Sequence, residues 1–323
     1  MRRLGAQYTA GAVCRAPCYP WIMRYLGAVI RPPSEADSLI IQVTYGCSHG
    51  ECDFCGTYAD KPFRVRPYAE VVQDITGLPA EVKQSVRRVF LADGDAVILP
   101  QRRLIEILEL LDTEFPLLER VSAYATAQAL LRKEVDQLRA LRDRGLTLLF
   151  LGLESGDDAT LASIHKGVTV AEQIEACRRA HKAGIGLSVT TILGLAGTDD
   201  PDAEVLSPAS ERHARATGAA LSAIQPEFIG VLSLMVTPGT PMGERVARGE
   251  FLVASPLAML RELRELIAAI AVPDALFRSN HASNYLPVGG RLPQDKARML
   301  AALDAVLTAP AGARLRPESW RAL

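Results

Sequence analysis

Short apolar runs alternate along the chain with longer stretches in which apolar residues recur every three to four positions. The short runs predict β-strands, and the longer stretches predict amphipathic helices. The predicted strands are 39–45, 87–95, 120–127, 146–155, 186–197, 227–236 and 276–280. The predicted helices are 68–75, 100–111, 132–143, 170–182, 208–220, 255–270 and 294–307.

Regular alternation of near-continuous apolar strands with helices predicts a parallel sheet covered by helices. We therefore predict an α/β fold, a partial (β/α)6 TIM-like barrel, with an open doubly wound sheet as the alternative. Residues 1–37 lack sustained periodicity and are predicted to form an N-terminal arm. Residues 38–245 would form the core barrel, and 246–323 a C-terminal helical extension that closes the barrel and contributes to the substrate pocket.

Polar and unusual residues gather directly after the predicted strands. In both architectures ligands bind at the carboxyl ends of the strands, so we expect one functional site at that edge of the sheet. The segments concerned are Cys47–Cys55, Asp93–Asp95, Tyr124–Thr126, Glu154–Ser155, Thr190–Gly194, Thr237–Thr240 and Ser279–Asn284. Their convergence does not distinguish the barrel from the doubly wound sheet.

Composition and charge narrow the classes of function. The 323 residues carry 36 basic and 37 acidic side chains, and this net charge of −1 argues against a nucleic-acid partner. No uninterrupted apolar run reaches the ~18–20 residues that span a bilayer. The apolar part of the N-terminal segment is too short and too mixed for a secretory signal. We therefore predict a cytoplasmic protein that does not enter a membrane.

Three of the six cysteines, Cys47, Cys52 and Cys55, lie close together in the segment CSHGECDFC. Six cysteines are too sparse for a disulfide scaffold in a chain of this length, so the group indicates metal binding or catalysis. Soft thiolate ligands favour zinc or an iron–sulfur cluster. A structural zinc site usually has four protein ligands, whereas three thiolates on a four-iron cluster leave one iron open to another molecule.

Other interpretations of the cysteines stay open. His49 could complete a zinc site, although a ligand between the first two cysteines is awkward for a single tetrahedral ion. The three thiols could also be buried and inert. Cys14 and Cys18 could be further ligands, but no other pair accompanies them, and Cys177 is expected in the core of a helical layer.

The cysteine segment resembles the cluster loop of the radical S-adenosylmethionine (SAM) superfamily. The usual spacing in that family is C-x3-C-x2-C with an aromatic residue before the last cysteine, here Phe54. This chain has one more residue between the first two cysteines. The resemblance implies that Cys47, Cys52 and Cys55 bind a [4Fe-4S] cluster, that Phe54 adjoins the cofactors, and that SAM binds the open iron.

The resemblance extends over about residues 39–240 and implies a SAM site. Asp93-Gly94-Asp95 matches the turn that binds the SAM amino group, and a simpler interpretation is an exposed turn. LGLESGDDATLASIHKG is similar to the branch with oxygen-independent coproporphyrinogen oxidase, the Elongator catalytic subunit and methylthiotransferases. There a Gln or Glu ends the strand, and a basic residue twelve positions later pairs with the SAM carboxylate. Glu154 and Lys166 have this spacing here, and the alternative is that Lys166 lies on the surface of a helix. The implied SAM-binding residues are Asp93, Gly94, Asp95, Tyr124, Thr126, Glu154, Ser155, Lys166 and Thr190.

The segment FRSNHASNYLPVGG concentrates hydrogen-bonding side chains after the last predicted strand. We predict that Arg278, Asn280 and Asn284 bind the substrate and that His281 donates or accepts a proton. The alternative is a polar cap with a structural role.

The resemblance implies a radical SAM enzyme. It would cleave SAM reductively to a 5′-deoxyadenosyl radical that abstracts hydrogen from a small-molecule substrate, with an electron donor such as flavodoxin or ferredoxin. Two alternatives remain: a non-catalytic iron–sulfur or zinc-binding protein, and a radical SAM enzyme that modifies RNA. The near-neutral charge argues against RNA, and SAM cleavage would exclude a non-catalytic protein.

Overall fold

Strands alternate with helices in the order that the hydrophobic pattern predicts. The computed structural model describes residues 23–203, 205–312 and 314–322, so Cys14 and Cys18 lie outside the described residues. The strands are β1 (Leu39–Gln42), β2 (Thr44–Tyr45), β3 (Arg64–Val65), β4 (Arg88–Ala92), β5 (Arg120–Ala125), β6 (Leu146–Glu154), β7 (Gly186–Leu193), β8 (Phe228–Ser233), β9 (Ala275–Ser279) and β10 (Val288–Leu292). The helices are α1 (Tyr68–Thr76), α2 (Ala80–Lys83), α3 (Gln101–Glu114), α4 (Ala127–Leu131), α5 (Val135–Arg142), α6 (Asp158–Ser163), α7 (Val170–Lys182), α8 (Pro208–Ile224), α9 (Pro241–Ala247), α10 (Pro256–Ala269) and α11 (Lys296–Thr308).

One sheet contains eight of these strands in the order β1-β4-β5-β6-β7-β8-β9-β10. Neighbouring strands from β1 to β9 are parallel, and β10 is antiparallel to β9. The predicted α/β fold with a parallel sheet is therefore confirmed. Two strands were not predicted: the two-residue β3, and β10, whose VGGRL segment carries two glycines and lacks a strong strand pattern.

The barrel is open, which corrects the expectation that residues 246–323 close it. These residues add β9 and β10 to the sheet, and β1 and β10 are its two edges, unpaired with each other among the described residues. Part of the N-terminal arm lies against β1 instead. The Tyr25 hydroxyl donates to the Ile40 carbonyl (2.8 Å), and the Gln42 side chain accepts from the backbone N–H of Leu26 (2.9 Å). The extension therefore widens the sheet without closing it.

Successive side chains along each strand point alternately towards the helices and into the partial barrel. On β4, Val89 and Leu91 are fully buried in the main core beneath the helices. Phe90 points the other way and packs edge-to-face with Tyr124 and Phe150, with ring centroids 5.0 and 5.8 Å away, and the Tyr124 and Phe150 rings are 6.2 Å apart. We call Phe90, Tyr124 and Phe150 the aromatic cluster. It fills the interior on the side of β4, β5 and β6.

A buried ion pair connects α1 to the edge of the sheet. Asp74 of α1 accepts from Arg66 Nη2 (2.5 Å), and Arg66 Nη1 donates to the carbonyl of Gln42 in β1 (3.1 Å). Arg24 of the arm donates to the same carboxylate from Nε (2.7 Å). Because Arg66 and Asp74 are both shielded from water, the shortest and most buried contact of the Arg66 charge is with Asp74, while its other carboxylate partner, Glu70, is part-exposed at 3.4 Å.

We predict that Asp74→Ala lowers the free energy of unfolding by about 3 kcal/mol, because it leaves the buried Arg66 guanidinium with only the part-exposed Glu70 carboxylate, 3.4 Å from Nε, as a counter-charge. The matched control is Asp136→Ala, which removes an exposed carboxylate paired with Arg139 and should change stability little. Urea titrations of both variants and the wild type measure the difference. Equal midpoints for the two variants would contradict this account.

Candidate active site

The segment with three cysteines forms a loop between β2 and β3, whose pairing brings its two ends together. The loop begins at Gly46, with φ of 68° and so little room that an added Cβ would lie 2.2 Å from the Lys61 carbonyl oxygen. Cys47, Cys52 and Cys55 are half-buried and form no disulfide. Burial raises the pKa of the Cys47 thiol and raises that of Cys52 to about 12, while the nearby Lys166 ammonium lowers both pKa values.

Asp53, in the middle of this loop, attaches it to two other parts of the chain. Its backbone N–H donates to Ile164 and its carbonyl accepts from Met242, both at 3.0 Å. Its carboxylate is 2.7 Å from His165 Nδ1 and accepts from Arg245 Nη1 (3.3 Å). These contacts fix the loop beside Cys52. No motif or spacing in the sequence indicated them, because each partner is an isolated polar residue.

His49 does not face the cysteines as a zinc ligand would. Its Nε2 lies 2.7 Å from the carbonyl oxygen of His165, and a carbonyl can only accept, so this nitrogen carries the proton. A Cβ added at Gly167 would lie 2.5 Å from the His49 ring, so the glycine makes room for the imidazole. Among the described residues, no three His, Cys, Asp or Glu side chains are arranged to hold a single metal ion.

The turn after β4 lies directly against the cysteine loop. Asp93 is fully buried, and its Oδ2 accepts from Lys61 Nζ and from Gln42 Nε2, both at 2.9 Å. Its Oδ1 is buried without a hydrogen-bond partner in the described part of the chain. A Cβ on Gly94 would lie 2.6 Å from the Tyr58 ring and 3.0 Å from Cys47 Cβ. The turn is therefore buried, and the interpretation of an exposed turn is wrong.

Asp95 connects the ends of three strands. Its Oδ2 accepts from Ser48 of the cysteine loop (2.5 Å) and from the Thr126 hydroxyl after β5 (2.8 Å). Burial raises the pKa of Asp95, although these hydrogen bonds oppose the rise. Thr126 also caps α4 by accepting from the N–H of Ala129 (3.1 Å). Both side chains are thus engaged within the protein, next to Cys47.

Glu154 and Lys166 form an ion pair at the end of β6. The backbone of Glu154 is left-handed, with φ of 62°, and the register with β7 shifts between Gly152 and Glu154. The carboxylate consequently folds back over Gly152, where an added Cβ would lie 2.0 Å from Oε1. Lys166 Nζ donates to that Oε1 (3.0 Å). Burial lowers the pKa of Lys166, but the charges of Glu154 and Cys52 raise it by more. The pKa therefore lies above its usual value, and the ammonium stays charged.

The other residues predicted to bind SAM differ in position. Phe54 is half-buried against a small apolar cluster, and Thr190 faces the inside of the barrel from β7. Tyr124 belongs to the aromatic cluster, and burial with the Asp93 charge raises the pKa of its phenol. Ser155 is fully buried, and its hydroxyl lies 2.7 Å from His213 Nδ1. The structure therefore brings Thr190 to the interior and leaves Ser155 in the layer behind β6.

The residues in and after β9 that were predicted to bind the substrate also differ in position. Arg278 and Asn280 are exposed, and Arg278 faces inward from β9. Asn284 is 2% exposed, with its amide engaged by the Ser233 hydroxyl (2.8 Å) and the Val231 carbonyl (2.7 Å). His281 Nδ1 accepts from the N–H of Ser283 (3.2 Å), so its other nitrogen carries the proton. Asn284 therefore holds the segment to β8 and is not at the open face.

Comparison with known proteins assigns the family. The family model of the radical SAM superfamily matches residues 41–207, a little more than half of the chain. The chain belongs to the radical SAM superfamily. It is therefore an enzyme of the radical SAM class, with SAM and a [4Fe-4S] cluster as cofactors. In the described residues, no helix is long and apolar enough to cross a membrane.

Two curated relatives are archaeal proteins. An uncharacterized protein of Methanopyrus kandleri is 29% identical over 178 residues, 50% of this chain and 32% of its own length. An uncharacterized protein of Methanocaldococcus jannaschii is 23% identical over 223 residues, 65% of each chain. The chain thus spans about a third of the first relative and under two thirds of the second.

Solved structures share the fold at low sequence identity. Coproporphyrinogen III oxidase (HemN) from Escherichia coli, a radical SAM enzyme, has a TM-score of 0.53 at 17% identity, covering 72% of this chain and 51% of that one. The methyltransferase TsrM from Kitasatospora setae has a TM-score of 0.51 at 19% identity, covering 66% and 39%. Methylornithine synthase (PylB) has a TM-score of 0.50 at 15% identity, covering 87% and 74%.

The residues present fit these two cofactors. Three free thiols lie together in an anchored loop, and His49 is engaged elsewhere, so the loop offers the three-ligand set that leaves one iron open. The unpartnered Asp93 Oδ1 is a buried acceptor that suits an ammonium group. The Lys166 ammonium is a donor for a carboxylate on the other side of the same edge.

We predict that Lys166→Met lowers the free energy of unfolding of the metal-free protein by about 2 kcal/mol, because Glu154 is only 9% exposed and loses its counter-charge. In the double variant Lys166→Met/Glu154→Gln the uncompensated charge is gone, so part of the loss should be recovered. Thermal unfolding of the wild type, the Glu154→Gln variant and these two variants completes the cycle. Additive effects would show that the two side chains do not interact.

A second prediction concerns pH. Burial, and then the charge of Arg316, lowers the pKa of His281 below its usual 6.5. As the pH falls through this range, the unfolded chain binds a proton at His281 more readily than the folded protein does. Protonation of His281 therefore lowers the free energy of unfolding as the pH falls. The wild type should therefore lose more stability than His281→Asn between pH 7.5 and pH 5.5, as measured by urea titration. Equal losses of stability in the wild type and in His281→Asn would contradict a lowered pKa at His281.

Proposed function

We propose that this protein uses SAM and a [4Fe-4S] cluster to abstract hydrogen from a small-molecule substrate inside the partial barrel. When bound, the two cofactors supply a 5′-deoxyadenosyl radical by one-electron reductive cleavage of SAM. The observation that carries the proposal is the position of three free cysteines at the carboxyl edge of the sheet, between the turn after β4 and the Glu154–Lys166 ion pair.

Cys47, Cys52 and Cys55 would hold the cluster. Thiolates, not thiols, bind iron, and burial disfavours the thiolate form at Cys47 and Cys52. Lys166 opposes that effect because its ammonium lowers the pKa of both thiols. Asp53 and its partners His165 and Arg245 would hold the loop in place while the cluster is inserted.

The turn after β4 and the Glu154–Lys166 ion pair would hold the two charged ends of the amino-acid part of SAM. Asp93 offers Oδ1 to the ammonium group, since its Oδ2 is already occupied by Lys61 and Gln42. Lys166 offers its ammonium to the carboxylate while Glu154 keeps it in position. Asp95 and Thr126 would support this site through Ser48.

The remaining predicted residues would act around the nucleoside and the substrate. Thr190 faces the interior from β7 and would contact the nucleoside, beside the aromatic cluster, which excludes water from that side. Arg278 and Asn280 would contact the substrate. His281 presents a protonated Nε2 as a donor, and Asn284 would hold its segment in place. We further propose a cytoplasmic enzyme with flavodoxin or ferredoxin as its electron donor.

We predict that Cys47→Ala, Cys52→Ala and Cys55→Ala each abolish cluster binding and the formation of 5′-deoxyadenosine. The control is Cys177→Ala, which changes a fully buried cysteine in α7 and should keep both. Anaerobic reconstitution, iron and sulfide analysis, and mass spectrometry with dithionite and SAM measure these results. A wild-type protein that carries a full cluster but forms no 5′-deoxyadenosine would contradict the proposal.

A further inference from the structure

A row of five residues crosses the inner face of the sheet at one level. Gly152 of β6 pairs with Thr190 of β7, Thr190 with Gly230 of β8, Gly230 with Arg278 of β9, and Arg278 with Gly289 of β10. We call these residues the inner row. Neighbouring strands lie about 4.8 Å apart, so the row runs about 10 Å from Thr190 to Arg278. Its Gly152 end lies beneath Glu154 and Lys166, and its fourth position carries the Arg278 guanidinium.

Neither the backbone conformation nor steric contact with the described residues requires glycine at position 230. Its φ is not in the left-handed range, and an added Cβ would meet just Thr190 Oγ1, at an ordinary contact distance of 3.6 Å. Gly152 and Gly289 differ, because an added Cβ would lie 2.0 Å from the Glu154 carboxylate or 3.1 Å from the Phe277 carbonyl. Glycine weakens a strand and often marks a place where a ligand approaches the backbone closely. The space above Gly230 suits such a ligand.

Arg278 supplies the charge at the end of this space. Its side chain is exposed on the inner face of β9, and within residues 23–203, 205–312 and 314–322 the guanidinium has no hydrogen bond or ion pair. Arg291, which lies on the same face of β10, is paired with Asp274 at 2.6 Å. An unpaired guanidinium suits the two oxygens of a carboxylate or phosphate group, which it can bind through two parallel hydrogen bonds.

Apolar side chains flank the inner row on both sides. Below it lie Phe228 of β8, which is 40% exposed, and Leu276 of β9. Above it lie Ile192 and Leu232, which pair across β7 and β8 and are half-buried. The body of a molecule over Gly230 would therefore contact apolar surface, while its end reaches Arg278.

We propose that the substrate has an apolar body that lies over Gly230 and an anionic end, a carboxylate or phosphate, that Arg278 binds. The inference rests on the proposed function, because it assigns the substrate class of that site. It makes Arg278 a substrate-binding residue and Gly230 a determinant of which bodies fit. The substrate then extends along the inner row from Arg278 towards Thr190 and the cofactors.

The test uses binding of small probes to the anaerobically reconstituted holoenzyme. The probes are benzoate and phenyl phosphate, with benzyl alcohol as the uncharged match, and ligand-observed NMR titrations at constant ionic strength give their affinities. We expect both anions, or the one that matches the natural group, to bind about tenfold or more tightly than the alcohol, since hydrogen bonds to a charged group are the strong ones. A preference between the anions distinguishes a carboxylate from a phosphate.

Three variants locate the binding. Arg278→Gln should weaken anion binding about tenfold or more and leave benzyl alcohol unchanged. Gly230→Ala adds a methyl group that the protein itself tolerates, and it should weaken all three probes. Arg291→Gln is the matched control on the same face and should change none of them. Anions that bind no better than the alcohol, or equal anion binding by Arg278→Gln and the wild type, would overturn the proposal.

The same preparations separate this inference from the proposed function. Formation of 5′-deoxyadenosine by the wild type with no selective anion binding would defeat the inference alone. Anion binding that depends on Arg278, in a holoenzyme that forms no 5′-deoxyadenosine, would defeat the proposed function and support the anion site.

Discussion

Carboxylates that are buried at the carboxyl edge of a sheet must be compensated by cations or hydrogen-bond donors, because an isolated buried charge is strongly unfavourable. Four acidic residues around the cysteine loop are in this situation: Asp53, Asp93, Asp95 and Glu154. Each one takes its partners from a different part of the chain. Compensating these charges therefore draws the cysteine loop, the turn after β4 and the end of β6 into one site.

The site could be predicted only in part from the sequence. The thiols were recognisable because three cysteines in nine positions are chemically unusual. Glu154 and Lys166 were recognisable from their spacing, and the structure pairs them. Lys61, His165 and Arg245 were not recognisable, since each is a single polar residue whose partner is distant in sequence. Their roles depend on which backbone segments become neighbours, and that depends on the fold.

The strands show a similar division. The seven parallel strands of the main sheet, β1 and β4 to β9, were predictable, because apolar runs between helices produce a strong periodic pattern. The two-residue β3 was not predicted. β10 was not predictable, because Gly289 and Gly290 interrupt its pattern, and its pairing depends on the adjacent β9. The open edge was also unexpected. The arm contacts Ile40 and Gln42 of β1 through hydrogen bonds that apolar periodicity does not reveal.

The inside of the partial barrel has two unlike halves, and this asymmetry gives the site a direction. On the side of β4 to β6, the aromatic cluster fills the interior and excludes water. On the side of β7 to β9, alternate residues stay accessible, and glycine at position 230 leaves the backbone uncovered. A radical intermediate must be shielded from water, whereas the substrate needs an accessible surface through which it can enter. The cysteine loop lies against the turn after β4, whereas Arg278 lies in the open half; under the proposed function the reacting atoms would therefore lie between them, near Thr190.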